Sequence, residues 1–236
     1  MLTLVVVVSC SKESVTEAEE NQFHNETLSR AGNANPYEYV GEFHNEALAH
    51  MLNISSSNYQ DIVDYLAPRM EEDPSNFIAF SLVEEDYNAA VANGYDYYTN
   101  LWVEGIIEEK EKAYLNQLEV IMLNSSSRDE FKNKIADVVE QLLQDRSLSR
   151  TSQELLLSTT ALAKHSYLFW DAYEATSRAK KGKWGKFWAD VGGFAGGFVG
   201  TLIYNNNNGS DPNLNPFTNG TAVGGLASAA VGNKKD

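Results

Sequence analysis

The sequence predicts an all-α protein, a helical bundle of five or six helices followed by a glycine-zipper helical hairpin. Three observations predict it. Apolar residues recur three and four apart through most of 36–180, the spacing of helices that bury one stripe. No stretch alternates apolar and polar residues between the turn residues that punctuate strands. Two apolar runs within 181–236 carry small residues every four positions, on either side of an asparagine-rich turn.

Taken in order, residues 2–8 are apolar apart from Thr3 and lead into Val8-Ser9-Cys10, the single cysteine of the chain. One cysteine excludes an internal disulfide. The run is too short to span a bilayer, but it matches the end of a signal-peptide apolar region followed by a small residue and cysteine. This pattern resembles the lipobox of bacterial lipoproteins, which implies that Cys10 is acylated and begins the mature protein. No Lys or Arg precedes the run, so Met1 is expected to lie inside a longer signal peptide. Ser11-Lys12-Glu13 and the acidic stretch to Glu20 resemble the export signal of Bacteroidota lipoproteins, which implies a place at the outer membrane or cell surface. Residues 10–34 are polar and acidic, as in a tether.

The helical region opens with Asn35-Pro36, a cap followed by proline, and Val40, Phe43, Ala47, Leu48 and Met51 share a face after it. Asn58 starts a second helix carrying Ile62, Val63, Leu66 and Met70, which Pro68 kinks or ends. Asp73-Pro74 repeats the cap and opens a third, carrying Phe77, Ile78, Leu82, Val83, Tyr87 and Val91 as far as Gly94. Residues 95–123 read as one long helix with Leu101, Ile106, Ile107, Tyr114, Leu118, Ile121 and Met122 inward. Ser127 and Glu130 form a capping box for a fifth, through Phe131, Ile135, Val138, Val139, Leu142 and Leu143. The sixth, over 152–179, carries Leu155, Leu156, Leu162, Tyr167, Leu168, Trp170 and Tyr173.

In the tail, Gly192, Gly196 and Gly200 recur every four residues, with Gly193, Gly197 and Thr201 one step behind. Gly220, Gly224, Ser228 and Gly232 repeat the period, shadowed by Thr221, Gly225 and Ala229. Glycine inside a helix costs about 0.5–1 kcal/mol relative to alanine, so close backbone approach must compensate. Both a membrane and a tightly packed hairpin docked on the domain supply it. Each apolar run is at or below the length of a bilayer span, and Asp190 sits inside the first. The turn over 205–216 makes the two helices antiparallel. The pattern resembles the glycine-zipper segments of outer-membrane lipoproteins of the surface-antigen type and the small-residue helices of class II bacteriocins. The resemblance implies membrane association, and the bare face also offers self-association.

Charge divides the chain near Arg178. Residues 1–177 hold 11 Lys and Arg against 30 Asp and Glu, whereas 178–236 hold 7 against 3. Lys180, Lys181, Lys183 and Lys186 interleave with Trp184, Phe187 and Trp188, the composition of an interfacial anchor for anionic lipid. A net charge of −15 would repel phosphate, which excludes nucleic acid as the partner.

Catalytic chemistry has thin support. Phe23-His24-Asn25-Glu26-Thr27-Leu28 is echoed by Phe43-His44-Asn45-Glu46-Ala47-Leu48, and His44, Glu46 and His50 supply metal donors on paper. His44 and His50, six apart, do not share a helix face as the zinc-binding HExxH spacing requires, and capping or packing explains His44-Asn45 as well. His165, isolated among apolar residues of the sixth helix, reads as a satisfied packing residue. The aromatic patch Tyr95-Asp96-Tyr97-Tyr98 with Trp102 suits a groove or a half-buried helix start. There is no G-x-S-x-G and no phosphate-cradling glycine loop. The expected organisation is therefore a signal peptide over 1–9, a lipidated tether over 10–34, an all-α domain over 35–180 and a separate hairpin tail over 181–236. The expected function is that of a non-enzymatic, membrane-anchored envelope lipoprotein with membrane lipids as partners, no cofactor and no metal. A bacteriocin-like membrane-active toxin is the first alternative, and a metal-dependent enzyme using His44 and Glu46 the second.

Overall fold

A computed structural model describes residues 35–93, 101–103, 105–176, 183–208 and 214–232. Among these the chain is helical and without strands, as the periodicity predicts. The main helices are α1 (Glu38–Asn53), α2 (Tyr59–Leu66), α3 (Phe80–Asn93), α4 (Glu109–Asn124), α5 (Arg128–Gln144), α6 (Arg150–Thr176), α7 (Lys183–Asn208) and α8 (Pro216–Gly232). Cys10, the tether and Tyr95 to Tyr98 lie outside the described residues.

Local chemistry sets most boundaries. Asn58 caps α2 by accepting from the Gln60 amide at 3.0 Å, and α2 stops at Leu66, two residues before Pro68. Ser127 caps α5 by accepting from the Glu130 amide at 3.1 Å, while Glu130 reaches back to the Ser126 amide at 2.8 Å. Four expectations need correction. Asn35 does not cap the first helix, which begins at Glu38; its side chain instead accepts from the Tyr37 amide and donates to the Leu157 carbonyl. Asp73-Pro74 opens only a 3₁₀ turn, Pro74–Asn76, because the Ile78 amide leaves the helical ladder to donate to Asn219 Oδ1 at 2.6 Å. The long fourth helix is broken at Gly105, whose φ of +73° closes a turn before α4. Asn205 continues α7 instead of leaving it, and its carboxamide clasps both backbone groups of Leu214.

The largest correction concerns the tail. Residues 33–236 form one compact unit, so the hairpin is not a separate domain. Every residue from 186 to 199 in α7 and from 218 to 229 in α8 is buried. A helix apolar all round can be stable only when covered on all sides, and α8 is covered by α7, α1, α2 and α3. Ala222, Leu226 and Ala229 pack with Leu48, Met51, Ile62 and Leu66; Val223 packs with Ile78 and Val83; Ala227 joins the cluster that α7 shares with α4, α5 and α6. The amphipathic helices are thus a sheath, and the two small-residue helices fill it.

Candidate functional site: the buried hairpin and its carboxylate anchor

The glycines let α7 and α8 touch backbone to backbone. A Cβ on Gly193 would lie 2.9 Å from the Val223 carbonyl and 3.0 Å from Gly224 Cα. On Gly197 it would lie 2.8 Å from the Asn219 carbonyl and 3.0 Å from Gly220 Cα. From the other side, a Cβ on Gly220 would meet the Phe194 ring and carbonyl at 2.9 Å, and one on Gly224 the Asp190 carbonyl at 2.8 Å. Of the α7 glycines, it is Gly193 and Gly197 whose bare Cα atoms lie against α8, one step along from the expected row; Gly192 and Gly196 are buried and Gly200 is half-buried. The face expected to drive self-association is occupied by the chain's own α8. Ser228 is buried in α8, and its hydroxyl has no hydrogen-bond partner.

Asp190 fastens the pair to the sheath. Its carboxylate is fully buried and takes three side-chain donors: His44 Nε2 at 2.8 Å from α1, and Ser166 Oγ at 2.6 Å and Trp170 Nε1 at 2.9 Å from α6. His44 Nδ1 lies 3.2 Å from Asn45 Oδ1, whose amide nitrogen is committed to the His165 carbonyl at 3.0 Å. Both ring nitrogens therefore face acceptors, the arrangement of an imidazolium. Burial alone would depress the His44 pKa, but the Asp190 charge, its hydrogen bond and that of Asn45 outweigh burial and raise it. A second junction lies beside the first. Glu38 accepts from His165 Nε2 at 2.6 Å and pairs with Lys164, and Gly41 brings α1 so close to α6 that a Cβ would fall 2.7 Å from the Ala161 carbonyl.

These positions decide several expectations. His44 is buried, whereas Glu46 is 55% exposed and points at Arg69, so the two cannot share a metal. His50 stacks on Tyr65 with centroids 4.1 Å apart. Among the described residues no three His, Cys, Asp or Glu side chains gather in a way that would hold a metal ion. His165 packs against Gly41 and is satisfied by Glu38, in line with the reading of it as a satisfied packing residue. Of the interfacial-anchor residues, Phe187 and Trp188 are buried in the core, and Lys186 is 7% exposed with Nζ 4.7 Å from the Trp170 ring centroid. They are unavailable to lipid in this fold, because the sheath needs them as packing. Lys183 and Trp184 begin α7, with side chains outside the described set, and Lys180 and Lys181 lie wholly outside it. No helix among the described residues is long and apolar enough to cross a membrane. Ser166, Trp170 and Glu38 had no signal in the sequence; Asp190 had one, a lone carboxylate in an apolar run. The chain matches no family model, no curated protein and no solved structure.

Proposed function

We propose that this is a non-enzymatic envelope lipoprotein of the outer membrane or cell surface, held to lipid by acylated Cys10 and displaying a helical domain built around the hairpin. The observation that carries the reading is the burial of α7 and α8. With the Phe187 and Trp188 side chains committed to the core, attachment falls to the N-terminal anchor, and the lipobox-like Val8-Ser9-Cys10 supplies one. A single acyl chain binds only marginally, about 0.8 kcal/mol per buried CH₂, so more than one chain on Cys10 is needed for stable attachment. The test is labelled palmitate with membrane fractionation. Label should enter the wild-type protein, and Cys10→Ser should lose both label and membrane association. Label that persists in Cys10→Ser would overturn the lipoprotein reading.

The toxin-like reading keeps one supporting observation: the segment richest in glycine and apolar residues is stored inside and fastened by one carboxylate. If the hairpin itself engages lipid, Cys10→Ser loses the label but stays with the membrane fraction, and anionic vesicles protect α7 and α8 from protease.

A further inference from the structure

Away from the hairpin, α5, α6 and the lead into α1 enclose a cleft of about 540 Å³, inside the roughly 300–1,000 Å³ range of small-molecule sites. Its floor is apolar, from Ile135 and Val139 on α5 and Ala161 and Leu168 on α6. Its mouth is cationic, with Lys132 on α5 and Lys164 on α6. Glu38 is the one acidic residue in the lining, and it already accepts from His165 and pairs with Lys164. Two lysines against one carboxylate leave a positive surplus, in a region where acidic residues outnumber basic ones 30 to 11. The walls are also fixed: Asn35 ties the lead into α1 to the Leu157 carbonyl at 2.7 Å, and Asn45 ties α1 to the His165 carbonyl.

This chemistry selects a ligand with one anionic head and an unbranched apolar body. Among the described lining residues the one aromatic ring is that of His165, whose Nε2 is held by Glu38 at 2.6 Å, and no Phe, Tyr or Trp offers a platform for a base or sugar. The Thr160 hydroxyl in the lining donates to the Leu156 carbonyl at 2.6 Å. We propose that the cleft binds a single-chain carboxylate amphiphile of the fatty-acid class, with its chain along Ile135, Val139 and Leu168 and its head between Lys132 and Lys164.

Calorimetric titration of decanoate into the full chain carrying Cys10→Ser, which has no acyl group of its own, tests this. One saturable site is expected. Lys132→Glu should weaken it by about tenfold or more, the scale of one charge-assisted contact. Ala136→Trp, made at an exposed position lining the cleft, should abolish binding while thermal melting shows a folded domain. Decanol should bind at least about tenfold more weakly than decanoate, because it offers the lysines no charge. Absence of saturable decanoate binding, an affinity unchanged in either variant, or decanol matching decanoate would each overturn the proposal.

Discussion

At the scale of single residues, the His44–Asp190 pair dominates what can be tested. Neither group reaches water, and removing one partner of such a pair typically costs about 3–5 kcal/mol because the other is left charged and buried. The exposed Glu46–Arg69 pair, 4.0 Å apart, belongs to a class worth about 0–1 kcal/mol. The pH dependence follows from the raised His44 pKa. Below the ordinary histidine value of 6.5 both folded and unfolded chains carry the proton, and the pair contributes fully. Above it the unfolded chain sheds the proton while the folded one keeps it, so stability falls as pH rises toward the folded value. Urea unfolding should therefore show a weaker domain at pH 8.5 than at pH 6, with a flatter profile in His44→Leu; a wild type that gains stability over that interval would contradict the imidazolium assignment. Ser228 makes the opposite case. Its buried hydroxyl has no partner, so Ser228→Ala should be neutral or stabilise the domain by up to about 1 kcal/mol, and a loss of more than that in the same assay would reveal a hydrogen bond to Oγ.

Helix by helix, the glycines predict effects of opposite sign. Gly197→Ala puts a methyl against the Asn219 carbonyl and Gly220 Cα. Both are backbone, so α7 and α8 must part, at a cost of about 1–3 kcal/mol. Gly185→Ala, near the start of the same helix, meets nothing closer than Val231 at 4.0 Å and should gain up to about 1 kcal/mol from helix propensity. Thermal melting of the two variants separates close packing from mere composition, because a compositional accident would make both alanines stabilising. The helices themselves were legible where caps and periodicity agreed, as at Asn58, Ser127 and the buried row of α5. They were misread where a partner elsewhere in the chain intervened. Nothing local in Asp73-Pro74-Ser75 says that the Ile78 amide will be claimed by Asn219, 141 residues away.

For the whole molecule, the sequence showed that small-residue faces would demand close neighbours but not which medium would cover the rest of each helix. A bare glycine face fits lipid-borne and protein-borne packing equally, and α8 has no polar side to break the tie. The tie-breaker was Asp190, whose carboxylate is costly without partners and here has three. The placement of the helices that cover α8 also has a consequence for how the chain comes together. α1, α2 and α3 precede it by well over a hundred residues, and contacts of that sequence separation close slowly. On a ribosome or emerging from a translocon, those three helices are made long before the segment that fills them. Until residues 216–232 arrive, Leu48, Met51, Ile62 and Leu66 have only part of their final surroundings, and such partly covered surfaces are what holding chaperones recognise. The core therefore waits on a helix made well after those that surround it, and closure around Leu48, Met51, Ile62 and Leu66 follows the arrival of residues 216–232.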